Sequence, residues 1–175
     1  MHLRPTDIAG LMVIEPDRKA DDRGWFARSF CAETFRDAGL ESTWVQTGTA
    51  FNHRAGTVRG MHFQLEPHGE VKLIRVTRGA IRDVVIDLRQ DQPTYLKSFA
   101  IDLSAANGVS LYVPRHFAHG YQTLEDDTEV LYYFSTAYAP GMASGLRWDD
   151  PALDIRWPLP VSVIAGQDMN WPLLP

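Results

Sequence analysis

Short runs rich in Val, Ile, Leu, Tyr and Phe recur along this chain, each closed off by Gly, Pro, Asn or Asp, and no segment repeats another. Strands spaced by turn residues in this way point to an all-β sandwich or barrel. The clearest runs predict strands over Lys72–Thr77, Ile81–Leu88, Ser98–Leu103, Ser110–Val113 and Thr128–Ser135. Arg78-Gly79-Ala80 reads as the turn of a tight hairpin joining the first two, and Pro93, Asn107-Gly108 and Pro114 punctuate the later connections. Helical pattern is scarce. Ala32–Ala38 is amphipathic and closed by Gly39, and the stretch GLRWDDPALDIRW suggests a short turn or helix followed by an extended piece. The tail, Asn170–Pro175, carries two prolines and is expected to lie on the surface.

With 175 residues and no linker, the chain reads as one domain spanning residues 1–175. About eight strands without repeats leave a double-sheet jelly roll or an immunoglobulin-like sandwich. Strand alternation groups Ile81 with Asp83 and Val85, Lys72 with Ile74 and Val76, and Val130 with Tyr132 and Phe134. Each set is apolar except for one ionisable side chain. A mostly apolar inner face that also carries Lys, Asp or Tyr reads as the wall of a pocket, which favours the jelly-roll barrel with a few short helices.

The net charge of −5 argues against a general nucleic-acid binder, because duplex binding rests on neutralising phosphates. It leaves room for a small anionic ligand held by a few converging arginines. A single cysteine, Cys31, rules out an intrachain disulfide and fits a reducing compartment. The amino end lacks the apolar run of a signal peptide, and no stretch reaches the ~18 apolar residues of a membrane span. A cytoplasmic protein without a membrane partner is the expectation.

Three segments concentrate chemistry: DDRGWF at Asp21–Phe26, GTVRGMHFQ at Gly56–Gln64 and PRHFAHGYQTL at Pro114–Leu124. They supply Arg23, Arg59, His62, Arg115, His116 and His119. Histidine suits proton transfer near neutral pH, and the arginine fork suits phosphate. A metal centre is disfavoured. Gln64 stands where a metal-binding barrel would place its second ligand, and His116 and His119 sit in a Pro/Gly-bounded segment read as a loop, so fewer than the usual three ligands are credible. No metal and no cofactor is the expectation.

RGMHFQ, EVKLIRVTRGAIRDVVIDLR, PTY, LYVP, FAHGYQTL, EVLYYFS and LRWDDPALDIRWP follow one another in the order of the dTDP-4-dehydrorhamnose 3,5-epimerase family, which the chain resembles from about Asp21 to Asp168. The resemblance implies a metal-independent, dimeric jelly-roll barrel of the cupin type, with a nucleoside-diphosphate 4-keto-6-deoxyhexose as substrate. Inversion beside a ketone needs a base, a stabiliser for the enolate oxygen and an acid on the opposite face. The resemblance assigns the base to His62, its carboxylate partner to Asp168, the enolate-stabilising cation to Lys72 and the proton donor to Tyr132. It pairs His119 with Asp83. Tyr133 has the opposite parity to Tyr132 and should point away.

For binding, the resemblance carries over Arg23 and Arg59 as phosphate or sugar contacts and puts Phe26, Gln46 and Tyr138 near the nucleotide. Arg59 and His62 differ in parity, so a bulge or strand end must intervene if both reach one ligand. Three departures fall where the nucleotide base should bind: Arg28 in place of a usual glutamate, Arg115-His116 in place of Glu-Gly, and the altered segment QTGTAFNHRAG. They leave dTDP, CDP and GDP sugars all open.

Each of these residues has a plainer reading when taken singly. His62 can be a structural histidine satisfied by backbone, Lys72 a solvated guard on an edge strand, Tyr132 core, Asp83 a turn-proximal acid and Arg23 half of a turn salt bridge. Rival functions are a 3,4-ketoisomerase, a non-catalytic sugar-nucleotide-binding cupin and, last, a metal-dependent oxygenase. The family resemblance also implies a homodimer in which an amino-terminal segment reaches the partner, with Leu11–Ile14 the candidate exchanged strand.

Overall fold

A computed structural model describes residues 1–175. Two sheets face each other. The first carries, in spatial order, β1 (His2–Pro5), β2 (Met12–Glu15), β10 (Ser110–Val113), β7 (Lys72–Arg78), β12 (Thr128–Phe134) and β5 (Gln46–Asn52). The second carries β13 (Ala143–Gly145), β6 (Thr57–Gln64), β11 (Phe117–Thr123), β8 (Ala80–Asp87) and β9 (Ser98–Ser104), while β14 (Val163–Ile164) runs parallel to the other half of β6. A detached hairpin pairs β3 (Lys19–Asp21) with β4 (Gly24–Phe26). The fold is a double-sheet jelly-roll barrel, as the run of short strands implies.

The space between the sheets is filled by the inward sets read from alternation. Ile74, Val76, Ile81, Val85 and Val130 are all buried in one apolar cluster with Leu11, Val13, Leu111 and Tyr121, and Tyr132 packs against it. Burying a side chain of this size contributes roughly 1.5–3 kcal/mol. The outer faces are covered too. Tyr133 points outward with Trp44 and Phe35, the last supplied by the one-and-a-half-turn α1 (Ala32–Asp37), whose chain leaves at Gly39 with φ of +71°. On the other side Leu146, Leu153 and Trp157 pack on Met61, Val84 and Ile86.

Three expectations are corrected. Arg78-Gly79-Ala80 is not a hairpin turn. β7 and β8 lie in different sheets, and the chain crosses the barrel corner at Gly79, whose φ of +75° and close approach of Thr128 leave no room for a Cβ. Leu11–Ile14 is not a free strand for exchange, because β2 is hydrogen-bonded on both sides, to β1 and β10, and Leu11 and Val13 are fully buried in their own core. His119 sits in the middle of the buried strand β11 rather than in a loop. The tail lies on the surface as expected, with two of its side chains tied down. Leu174 packs on the outer cluster, its N–H donates to Asp150 at 2.7 Å, and Trp171 fills the space above Gly145.

The parity conflict on β6 is resolved by a bulge. His62 is opposite His119 and Arg59 is opposite Tyr121, so β6 spans two intervening residues where β11 spans one. Both Arg59 and His62 therefore face inward with Tyr121 and His119. Gly60 makes this possible: its φ is +125°, and a Cβ there would lie 2.5 Å from Gly120 Cα. Gly60→Ala is expected to lower stability by about 2 kcal/mol or more, from backbone strain plus the clash. Urea denaturation checks this, and an unchanged midpoint would contradict the account of the bulge.

Candidate active site

A cavity of about 450 Å³ opens between the sheets at one end of the barrel. His62, Phe63 and Gln64 of β6 and His119 of β11 line it from the second sheet; Gln46, Lys72, Tyr132 and Phe134 line it from the first. Glu70, Tyr138, Ala143 and Gln167 complete the wall.

His62 is half-exposed to the cavity, and its Nε2 lies 2.6 Å from Oδ1 of the nearly buried Asp168. Asp168 rides on the single turn α2 (Gly166–Met169), and its other oxygen accepts from the Gly60 N–H at 3.1 Å. Burial pushes this carboxyl up, but the hydrogen bonds from His62 and Gly60 outweigh it and hold it below the ordinary carboxylate range. The bulge at Gly60 thus both turns His62 inward and supplies an N–H to its partner.

Lys72 is no edge-strand guard. β7 is flanked by β10 and β12, and the Lys72 side chain is 7% exposed. Its Nζ meets Glu70 at 3.0 Å and donates to the His62 carbonyl oxygen at 3.1 Å.

Tyr132 stacks on Phe134, with centroids 5.6 Å apart and planes 8° from parallel, and meets His119 edge-on at 5.9 Å. Burial, followed by the neighbouring Tyr121 and Asp83, raises its hydroxyl well above the usual phenol value. At neutral pH it is a phenol with a proton to give. His119 Nε2 lies 2.8 Å from Asp83, both side chains almost wholly buried; the contact has ion-pair distance but not hydrogen-bond geometry.

Arg59 faces inward but not onto the cavity wall. Its Nε donates to Asn52 at 2.8 Å, and Asn52 in turn bonds the Tyr121 hydroxyl at 3.1 Å. Gln46 uses its carbonyl to accept from the Tyr138 N–H at 2.9 Å, which holds the half-exposed loop carrying Tyr138 over the cavity mouth.

Arg23 and Phe26 are not brought to this cavity. Arg23 is paired with Asp21 on the projecting β3–β4 hairpin, 90% exposed, and Phe26 borders a separate hollow of about 250 Å³ with Lys19 and Arg28. Arg115 and His116 also lie outside the cavity, and His116 approaches Glu66 at 3.5 Å.

The sequence profile described as dTDP-4-dehydrorhamnose 3,5-epimerase matches residues 5–175. The chain belongs to the dTDP-4-dehydrorhamnose 3,5-epimerase family. A protein of that name from Sinorhizobium fredii is 41% identical over 175 residues, covering 99% of this chain and 90% of the relative. The crystal structure of the Bacillus anthracis dTDP-4-dehydrorhamnose 3,5-epimerase, with TDP and PPi bound, superposes with a TM-score of 0.95 at 38% identity and covers 99% of each chain. ChmJ, a 3'-monoepimerase from Streptomyces bikiniensis solved with dTDP-quinovose, superposes with a TM-score of 0.90 at 32% identity, covering 99% of this chain and 87% of ChmJ. As a member of this epimerase family the chain is an isomerase.

Sequence reasoning gave Glu70 and Gln64 no part in this epimerase cavity. Phe134 was visible by parity, two residues from Tyr132, and Glu70 likewise stands two residues before Lys72. Gln64, read only as a missing metal ligand, donates to Glu70 at 2.8 Å and accepts from the Ala139 N–H at 2.8 Å.

Because the folded-state pKa of Asp168 is depressed, its contribution to stability is complete above its unfolded value of about 3.9 and is lost as pH falls through the folded value. Asp168→Asn should therefore flatten, without abolishing, the acid limb of a stability-against-pH curve. Asp87, held low by Arg89 and Thr94 against its burial, keeps part of that limb. An acid limb left unaltered by the Asp168→Asn substitution would contradict the pairing.

Proposed function

We propose that this epimerase inverts the carbons flanking the ketone, C5 and C3, of a dTDP-linked 4-keto-6-deoxyhexose. One observation carries the reading: His62 and Tyr132 belong to opposite sheets and border the same cavity, and Lys72, from the sheet of Tyr132, reaches across to the His62 carbonyl. A ring lying in that cavity has the base on one face and the acid on the other. The TDP bound to the Bacillus anthracis enzyme and the dTDP-quinovose bound to ChmJ favour dTDP over CDP or GDP.

In this mechanism neutral His62 takes the proton from the carbon next to the carbonyl. The C–H electron pair becomes the new C=C bond, and the carbonyl pair moves onto the C4 oxygen. Lys72 stabilises that oxyanion, and Asp168 stabilises the imidazolium. Tyr132 then gives its proton to the opposite face of the same carbon as the oxyanion re-forms the ketone. The imidazolium proton and the phenolate exchange with solvent before the second centre reacts. His119 meets Tyr132 edge-on from the opposite sheet, with Asp83 beside it.

His62→Asn should lose solvent-deuterium uptake into the substrate by about a hundredfold or more. Tyr132→Phe should separate two signals: deuterium still enters with retention, returned by His62, while inversion measured by NMR falls by about a hundredfold. Exchange at the wild-type rate in the His62 variant would discard the assignment of the base. A product with the carbonyl moved to C3 would identify a ketoisomerase instead, and binding with no turnover a non-catalytic cupin.

The second half of the binding site is proposed to come from a partner subunit. Phe26 is 70% exposed and Arg23 projects on a hairpin away from its own cavity, so neither serves the ligand in a single chain. In a homodimer that hairpin can supply both to the partner's nucleotide. The single cysteine fits a cytoplasmic enzyme, and no helix is long and apolar enough to cross a membrane. Light scattering should give twice the chain mass. Arg23→Ala should raise KM about tenfold, the loss of one charge-assisted contact, with kcat little changed. A monomer with full activity would overturn the arrangement.

A further inference from the structure

Lys72 is held from two directions in a way that assigns work to a residue outside the proton-transfer set. An ammonium group has three N–H donors. One meets Glu70 Oε1 at 3.0 Å and one the His62 carbonyl at 3.1 Å, which leaves the third for the cavity that Lys72 borders. Glu70 is itself pinned. Its side chain is 11% exposed, its second oxygen accepts from Gln64 at 2.8 Å, and Gln64 is anchored to the His68 carbonyl at 3.2 Å and the Ala139 N–H at 2.8 Å. Only a carboxylate can accept from Lys72 and Gln64 together, since an amide would present a donor to one of them.

We propose that Glu70 is a positioning residue for Lys72: its carboxylate takes one ammonium hydrogen and so aims another at the ketone oxygen of the bound sugar. The proposal rests on the reading of Lys72 as the enolate stabiliser. A lysine side chain has four rotatable bonds, and without the Glu70 carboxylate only the His62 carbonyl would fix the direction of its ammonium group. A misplacement of about 1 Å in an active-site group is enough to cost about a hundredfold in rate. Glu70 precedes Lys72 by two residues and shares its face, so the acceptor is built into the same stretch of backbone as the group it aims.

Two substitutions separate position from charge. Glu70→Asp keeps the charge but withdraws the oxygen by about 1.5 Å; kcat should fall tenfold or more with KM within threefold of wild type. Glu70→Gln keeps the length and can still offer an oxygen to Lys72, so kcat should stay within threefold. Its amide nitrogen then faces Gln64, and any penalty appears in KM through the Tyr138 loop. A Glu70→Asp enzyme with kcat within threefold of wild type overturns the proposal, as does a Glu70→Gln enzyme as slow as Glu70→Asp. Lys72→Met measured alongside keeps the two questions apart. Wild-type kcat in Lys72→Met sinks the role given to Lys72 itself, whereas a slow Lys72→Met enzyme beside a fully active Glu70→Asp enzyme sinks only the role of Glu70.

Discussion

The extra residue in β6 is the constraint on which the site depends. A regular strand would send Arg59 and His62 to opposite faces, and the imidazole or the guanidinium would be lost to the outside of the barrel. With the bulge, His62 stands opposite His119 and Arg59 opposite Tyr121, all on the inward side. The same distortion turns the Gly60 N–H to Asp168, so the backbone irregularity that aims the imidazole also anchors the carboxylate that holds it. Gly60 and Gly120 face each other across the two strands with no space for a side chain on either. The chemistry of β6 is therefore written in its glycines as much as in its histidine.

Much of this was legible in the sequence, and the parts that were not share a cause. Strands rich in β-branched and aromatic residues, such as Lys72–Arg78, Ala80–Asp87 and Thr128–Phe134, declare their existence, and parity then picks out their inner sets. The strands β6 and β11 are as well ordered but hide, because glycines and inward polar residues erase the period of two. Gly79 misleads for a related reason. A glycine between two strands signals a tight reversal, and nothing local tells a hairpin from a corner at which the chain changes sheet. Glu70 lay unnoticed because its function comes from Lys72 and Gln64 together, and the pairing with Gln64 is set by the fold rather than by spacing. Arg23 and Phe26 fit the binding motif by sequence yet stand apart from the cavity, since a motif does not say where in the fold a residue comes to lie.

The interior carries an unusual load of ionisable groups for a barrel of this size: Asp83, Lys72, His119 and Asp168 are all buried. Desolvating a charge is expensive, and one left without any hydrogen-bonding partner costs more still. Here each is matched: Asp168 with His62, Lys72 with Glu70 and Asp83 with His119. Replacing such pairs by well-packed apolar residues often stabilises a protein, so their presence is better explained by chemistry than by folding. The apolar cluster of Ile74, Val76, Val85, Val130 and Leu111 fills the other end of the same barrel and supplies the stability that the polar end gives up.

That division also explains why this architecture suits inversion. Two sheets packed about 10 Å apart leave, where the apolar filling stops, a slot about as thick as a sugar ring with its hydrogen-bonding shell. One wall is β6 with His62 and the other β12 with Tyr132, and each strand is locked in register by neighbours on both sides. In the proposed mechanism each group serves the face of the ring that its own sheet borders. Retention through one residue and inversion through two are, in that mechanism, distinguished by which sheet delivers the proton, and the stereochemical outcome follows from the separation of the layers.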